Sequence, residues 1–422
     1  MFDDILAIFI IPSIWFKKRG YEERMKSTVA AIDFGTSKIV TLLAETSGNQ
    51  RCDIIGAGVS YYDGYTDDGW HAPEQLNAAI EKSITEAREQ ARRPITEVNV
   101  GVPGALSRVY AVEARVELKG TDPRVTLADI KQLFKKAVEQ LGVFTGVVVH
   151  RSPAWFCVDD GKMTLEPLGM KGSELKALVS FVVASKFFLD SVDEQLRAMG
   201  IAVSGFFSTA TGEALLFLPE AERDHTSVLI DVGYTSTDVM MAQGDAVTYL
   251  KTVPIGSGHI ACDLADGLKI QLPAAEQIKR AYIYASSAPA GQAYSVSSSD
   301  NGVAEDFTQE QVSEILEPRV EELAEAIDES IKNSGISLGQ WSTIYLTGGG
   351  LSLNRGGREF LSGKLERPVR EIPKRTMKLN SPIYSSSLGL MDLIIDTIEQ
   401  QQAPTPGLVG GVKDFFRSLL GG

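Results

Sequence analysis

One short pattern occurs twice in this chain and constrains the fold more than any other feature. Val29 to Ile32 and Val228 to Ile230 are apolar runs of strand length, each followed by an Asp, a Gly two residues on, hydroxyl residues and a second apolar run. The stretches are Asp33-Phe34-Gly35-Thr36-Ser37-Lys38 and Asp231-Val232-Gly233-Tyr234-Thr235-Ser236-Thr237-Asp238. Each predicts a β-hairpin with a tight turn, and two of them predict an internal duplication. A third stretch, Thr347-Gly348-Gly349-Gly350, follows another apolar run and predicts a glycine turn before a helix. A lone Asp-x-Gly after a strand is ordinarily only a turn. Three such stretches in this order point to phosphate chemistry. Glycine lets the backbone approach a phosphate, amides and hydroxyls donate to its oxygens, and the Asp can orient a hydrated magnesium ion. The glycine turn suits a ribose or an α-phosphate.

With 422 residues the chain exceeds one ordinary core and predicts two domains or two multi-lobed halves. It is 44% apolar and 23% charged, a globular composition. A formal net charge of −14 argues against nucleic acid as a partner, since that needs a basic face. Cys52, Cys157 and Cys262 lie far apart, outside any metal-ligand spacing, and read as reduced core thiols. His71, His150, His225 and His259 are scattered, so neither a zinc site nor a Ser-His-Asp arrangement is indicated.

Both ends stand apart. Ile5 to Phe16 is apolar but short, contains Pro12 and precedes Lys17-Lys18-Arg19, so it is too short for a spanning helix. Met25-Lys26-Ser27 directly precedes the first strand and reads as a natural start. Residues 1–24 are then expected to be an upstream extension of the reading frame. At the other end, Gln400 to Pro406 is a linker by composition. Beyond it Leu408, Val412, Phe415, Phe416, Leu419 and Leu420 recur at helical spacing, with Lys413 and Arg417 four apart on the other side. A tethered helix of this kind suits the plane of a bilayer surface; the alternative is a helix docked on its own domain, which the linker disfavours. Asp414 reduces its positive charge, so apolar insertion must dominate over attraction to anionic lipid.

Between the motifs, periodicity predicts a helix over Ala78 to Gln90 and a strand over Glu97 to Val102. Residues 104–180 differ in character: an extended stretch (Arg108 to Leu118), a helix (Leu127 to Gln140) and strands at Val147 to Val149, Phe156 to Val158 and Ala177 to Val183. With no phosphate-type turn, this segment reads as an inserted α+β module. A helix is expected over Lys186 to Met199, and an exposed hairpin or loop over the Ser-, Ala- and Gly-rich stretch Ala285 to Asp306. Gln309 to Asn333 reads as a long amphipathic helix with Ile315, Val320, Leu323, Ile327 and Ile331 as its apolar stripe.

This order of motifs resembles the actin-like ATPase superfamily, and within it most closely the FtsA family of bacterial cell-division proteins. Val98-Asn99-Val100-Gly101-Val102-Pro103-Gly104, Pro167 to Gly172, Val253-Pro254-Ile255-Gly256-Ser257-Gly258 and Ala275-Glu276-Gln277-Ile278-Lys279 add to the likeness, as does the tethered tail. The resemblance covers about residues 28 to 420. It implies an α/β, actin-like two-lobed fold of duplicated ribonuclease-H-like domains, with a nucleotide in the cleft and an inserted α+β module of FtsA type. The chain then divides into an N-terminal extension (1–27), first-lobe segments (28–103 and 181–212) around the module (104–180), and second-lobe segments (213–257 and 341–398) around an outer subdomain (258–340). A flexible linker (399–406) and the membrane-targeting helix (407–422) follow.

Carried over residue by residue, the resemblance implies that Asp33, Gly35, Thr36, Ser37 and Lys38 form the first phosphate loop, and Asp231, Gly233, Thr235, Ser236 and Thr237 the second. Gly348, Gly349 and Gly350 would face the sugar and α-phosphate, and Glu276 with Lys279 the ribose and base. Glu276 and Lys279 are three apart and share a helix face, which by itself is equally well read as a surface ion pair. ATP and Mg2+ are the implied cofactors, with Asp33 and Asp231 reaching the ion through water.

Two departures stand out. Tyr234 and Thr235 occupy positions where the family's second loop usually has glycines, and a β-carbon disfavours positive φ and adds bulk there. Relatives also often carry Glu-Pro upstream, the acid lying near the attacking water. Alignment through Glu213-Ala214 puts Phe207 and Ser208 at those two positions, and Phe cannot deprotonate water. Slow or absent hydrolysis is therefore expected. The resemblance implies a nonenzymatic adaptor at the cytoplasmic face of the membrane at the division site. It would bind the C-terminal tail of FtsZ through about 258–340, self-assemble into a polymer and hold the membrane through residues 407–422. A sugar kinase of the same fold and a scaffold resembling the type IV pilus protein PilM are the alternatives, and a divergent FtsA-like paralogue fits the departures.

Overall fold

A computed structural model describes residues 27–47, 51–66, 69–284, 291–297, 304–373, 379 and 381–402. The proposed upstream extension and the helix expected over 407–422 lie outside these residues. The chain begins with β1 (Ser27–Phe34), β2 (Lys38–Ser47), β3 (Arg51–Tyr61), β4 (Tyr65–Thr66), β5 (Gly69–Trp70), α1 (Pro73–Ala91) and β6 (Glu97–Val102). The inserted module follows as β7 (Ser107–Glu117), α2 (Leu127–Leu141), β8 (Val147–Val158) and β9 (Glu174–Ala184). Next come α3 (Lys186–Ala198), β10 (Ala202–Ser208), α4 (Thr209–Phe217), β11 (Ser227–Val232), β12 (Thr237–Gln243) and β13 (Ala246–Val253). The remainder is α5 (Ser257–Leu268), α6 (Leu272–Ala281), β14 (Ala293–Ser297), β15 (Ala304–Thr308), α7 (Gln309–Asn333), β16 (Ile344–Thr347), α8 (Gly357–Lys364), β17 (Val369–Glu371) and α9 (Ser385–Gln402).

The duplication is visible in the sheets. One has the order β10-β6-β1-β2-β3, the other β17-β16-β11-β12-β13. In each, the strand that carries the motif Asp one residue before its end pairs in parallel with a later strand, Asp33 opposite Gly101 and Asp231 opposite Thr347. Strands β1 and β11 are buried along almost their whole length, as strands inside two-sided sheets are, which explains their continuous apolar runs.

The described residues form two compact units. The first is drawn from Met1–Thr226, Met240–Leu250 and Ser386–Gly422, the second from Ser227–Val239 and Lys251–Ser385. Residues 386–398 were expected in the second lobe, but α9 packs in the first unit. Leu390 stacks on Gly101, and the backbones of Gly212 and Gly389 meet so closely that a β-carbon on either would collide. The segment 213–226 likewise belongs to the first unit. Helix α9 runs through Gln402, so the linker expected from 399 begins no earlier than Ala403. Among the described residues no helix is long and apolar enough to cross a membrane.

In the module, β7, β9 and β8 form a three-stranded sheet in that order. Leu133, Phe134 and Ala137 of α2 share its core with Phe156, Leu175 and Val179. Two strands were expected between Val147 and Val158. The structure has one, β8, with register shifts between Val148 and His150 and between Pro153 and Trp155. His150, Arg151 and Ser152 broke the apolar pattern, yet all three are buried. Of the hairpin or loop expected over 285–306, the structure has a hairpin, β14 paired with β15, whose second strand runs on to Thr308, and α7 has the predicted bounds.

Candidate functional site

The two motif turns are built alike. Gly35 N–H donates to the Lys38 carbonyl and Gly233 N–H to that of Ser236, both at 2.9 Å. In each turn a β-carbon on the glycine would crowd the accepting carbonyl, at 3.1 Å and 2.8 Å. Neither glycine has positive φ, nor have Tyr234 and Thr235. The strain expected of non-glycine residues at those two positions is therefore absent: this turn asks its glycine for close approach rather than for a left-handed backbone.

In the first unit the turn rests on a segment that the sequence reading did not single out. Tyr62 Oη donates to the Gly35 carbonyl at 2.8 Å, Tyr62 N–H to Ser37 O at 3.2 Å, and Tyr65 Oη to Phe34 O at 3.4 Å. Gly64, at φ +79°, lies so close to the Thr36 carbonyl that a β-carbon would come within 2.2 Å of it. Successive carbonyls from Phe34 to Ser37 thus face Tyr62–Tyr65. Across a trans peptide the N–H points opposite to the carbonyl, and the described residues contain no cis bond. The amides of Thr36, Ser37 and Lys38 consequently face the other way, an anion-binding arrangement. Trp70 backs the tyrosines, its ring centroid 6.5 Å from Tyr62, 6.0 Å from Tyr65 and 6.0 Å from Phe34.

Asp33 is buried at the end of β1, and Ser387 Oγ at the start of α9 donates to its Oδ2 at 2.7 Å. Burial pushes its carboxyl above the usual range, opposed by hydrogen bonds from Ser387 and Ser386 and by the charge of Lys38. A run of three serines opening a helix is a capping signal that could have marked this partner.

In the second unit the turn is held by a helix start. Ser257 N–H donates to Gly233 O at 3.0 Å, Gly258 N–H to Tyr234 O at 2.6 Å, and Thr237 Oγ1 to Ile255 O at 2.7 Å. By the same peptide geometry, the amides of Tyr234 and Thr235 face away from α5. Ser236 sits where a β-carbon on Gly256 would come within 2.7 Å of its amide nitrogen. The glycine stretch lies directly against this turn: Gly350 N–H donates to Val232 O at 2.8 Å. Gly348, at φ +83°, approaches Asp231 so closely that a β-carbon would sit 2.1 Å from Oδ1, and one on Gly349 would meet Ile383. Helix α8 begins only at Gly357, so the glycine turn does not open a helix as expected.

Glu276 and Lys279 share a face of α6, but not as a surface pair. Lys279 is 6% exposed, and its Nζ donates to Glu276 Oε1 at 2.6 Å and to Ser257 O at 3.0 Å. Burial pushes the ammonium below its usual range despite Glu276. Asn354, a residue the sequence reading missed, ties the segment after the glycine turn to α6 by donating to the carbonyls of Lys279 and Tyr282 at 2.8 Å and 3.1 Å. Phe207 is buried at the end of β10, and Ser208 caps α4 by accepting from Thr211 N–H at 3.2 Å. Among the described residues no three acidic, histidine or cysteine side chains gather into a metal cage. Cys262, expected in a core, is exposed on α5, whereas Cys157 is buried.

A family model described as cell division protein FtsA matches residues 228–389, and one described as the SHS2 domain inserted in FtsA matches residues 104–183. The cell division protein FtsA of Pseudomonas aeruginosa is 26% identical over 370 residues, an alignment covering 86% of this chain and 88% of that one. The chain belongs to the FtsA family. FtsA of Bacillus subtilis is 23% identical over 363 residues, covering 86% of this chain and 82% of the other. Among solved structures, a PilM–PilN type IV pilus biogenesis complex superposes with TM-score 0.59 at 18% identity, covering 87% of this chain and 98% of that one. That likeness shows the fold, actin-like, mixed α/β and duplicated, and the SHS2 match identifies the segment after β6 as the FtsA-type module.

Proposed function

We propose that this FtsA-family member binds Mg-ATP, assembles with copies of itself, and ties the C-terminal tail of FtsZ to the cytoplasmic face of the membrane at the division site. The observation that carries the nucleotide part is the pair of equivalent turns, whose carbonyls are held so that the amides of Thr36, Ser37 and Lys38 in one, and of Tyr234 and Thr235 in the other, face away from the support. Thr36, Ser37 and Lys38 would donate to phosphate from one turn, and Thr235, Ser236 and Thr237 from the other. Gly348–Gly350 would lie along the sugar and α-phosphate, with Glu276 and Lys279 at the ribose and base. Magnesium bound to phosphate keeps several waters and needs only one or two carboxylates, so the lack of a protein cage among the described residues fits. Asp33 fits such a role: burial disfavours its ionised form, which a nearby hydrated cation would restore. Asp231, half-buried against Gly348, would act likewise.

Nucleotide would serve as a conformational ligand more than as a substrate. Phe207 has no group that moves a proton, which supports weak or absent hydrolysis. The domain limits drawn for the family, including the FtsZ-binding region within 258–340, belong to this proposal. Residues 407–422 would supply the membrane contact through their apolar face.

The test is co-pelleting with lipid vesicles, with and without residues 407–422, in the presence of FtsZ and Mg-ATP. FtsZ is expected in the pellet only with the full chain and vesicles together. Equal FtsZ recruitment by the truncated chain would overturn the adaptor. Phosphate release is expected to stay near background while ATP binds, and rapid turnover would overturn the conformational-ligand reading.

A further inference from the structure

Tyr234 follows the glycine of the second turn and holds the position that Thr36 holds in the first. Its ring has a prepared seat. Gly258 lies beneath it, and a β-carbon there would come within 2.9 Å of a ring carbon. Lys279 Nζ stands 5.3 Å from the ring centroid, and the hydroxyl reaches Glu276. The side chain therefore touches both half-buried Glu276 and buried Lys279, through three chemistries: cation–π contact, hydrogen bonding and apolar packing on a bare helix face. These are also the contacts by which a sugar hydroxyl and an aromatic base would engage such a pair.

The backbone of Tyr234 is held independently of its ring, because its carbonyl accepts from Gly258 N–H at 2.6 Å. The ring can swing about χ1 with the turn unmoved. It is half-exposed, so solvent adjoins it and a rotamer change needs no local unfolding.

We propose that Tyr234 is a specificity-determining residue that occupies the Glu276–Lys279 pair as an internal competitor, so that a nucleoside reaches the pair only by displacing the ring. The proposal rests on the nucleotide-binding reading above and adds to it a built-in handicap on the sugar and base, separate from phosphate recognition. Each contact the ring makes must be surrendered before the ligand can replace it. Removing the ring is therefore expected to tighten nucleoside binding about tenfold, which corresponds to about 1.4 kcal/mol.

The test measures binding of adenosine, Mg-ATP and inorganic triphosphate to the full chain and to its Tyr234→Ala and Tyr234→Phe variants. Tyr234→Ala should tighten adenosine and ATP by the same factor, about tenfold, and leave triphosphate unchanged. Tyr234→Phe keeps the ring and loses only the hydroxyl, so a gain of about threefold is expected. That variant also carries the test if the alanine variant does not fold. Unchanged or weakened adenosine binding in the variants, with ATP still bound by the parent protein, would overturn the competitor and leave the nucleotide reading standing. A gain for triphosphate equal to that for adenosine would assign the effect to the phosphate turn and also overturn it. Failure of every folded form to bind ATP or adenosine would remove both readings.

Discussion

Replacing Tyr62 by Phe removes one oxygen from the support of the first turn. That hydroxyl donates to the Gly35 carbonyl at 2.8 Å, and the side chain is 7% exposed. Burial, and after it the charge of Asp33, hold the phenol well above its usual range, so it remains a donor at any working pH. Without it a poorly solvated carbonyl loses its partner, a cost of about 1–3 kcal/mol in a folded protein. The peptide that follows is then freer to rotate, and the Thr36 amide is no longer aimed away from Tyr62. If about 1–2 kcal/mol of this appears in phosphate binding, affinity falls about five- to thirtyfold. Calorimetric titration with Mg-ATP and with adenosine separates the effect from general damage. Tyr62→Phe should weaken ATP by that factor and leave adenosine unchanged. Equal losses for both ligands, or ATP binding within about twofold of the parent with a lowered melting temperature, would refute the idea that Tyr62 aims the turn.

Gly348→Ala should be more severe, because its φ of +83° disfavours any side chain and the new β-carbon would meet Asp231 Oδ1. A loss of about 1–3 kcal/mol from the backbone alone, read as a lower melting temperature, is expected together with weakened ATP binding. Acid should act on the module through His150, which is 1% exposed, has no hydrogen-bond partner on either ring nitrogen, and is pushed down to about 4 by burial. The folded ring stays neutral while the unfolded one takes a proton below about pH 6.5, so its stabilising share is intact above that pH and is lost as pH falls toward 4, about 3 kcal/mol in all. Asp245, pushed up to about 6 by burial despite Arg223, works in the opposite direction, since its folded form gains stability as pH falls through the same window. Comparing parent and His150→Gln at each pH isolates the histidine. Hydrogen exchange of the peptide 147–158 should show the parent losing about 2 kcal/mol relative to the variant between pH 7 and 5, and parallel profiles would sink the assignment.

Much of the architecture was legible because it rests on local rules. The two Asp-x-Gly turns, the strand over Glu97–Val102 and the helix over Gln309–Asn333 follow from periodicity and turn chemistry, which act over a few residues at a time. The break expected within β8 shows where that logic fails, since His150, Arg151 and Ser152 read as polar interruption but lie buried in a continuous strand. Burial is decided by what packs above a strand, and a period-two pattern cannot see it.

At the candidate site, the positions of the two tight turns are written locally, in the glycine spacing after a buried strand. The tertiary structure alone sets what supports each turn. Tyr62 and Gly64 stand behind the first and the start of α5 behind the second, partners found by strand pairing and helix docking at long separation. It also decided that Tyr234 and Thr235 need no positive φ, and that the Tyr234 side chain is spent on Glu276 and Lys279. Composition identifies a residue's chemistry, whereas the direction in which it is spent depends on neighbours that the chain brings together only by folding.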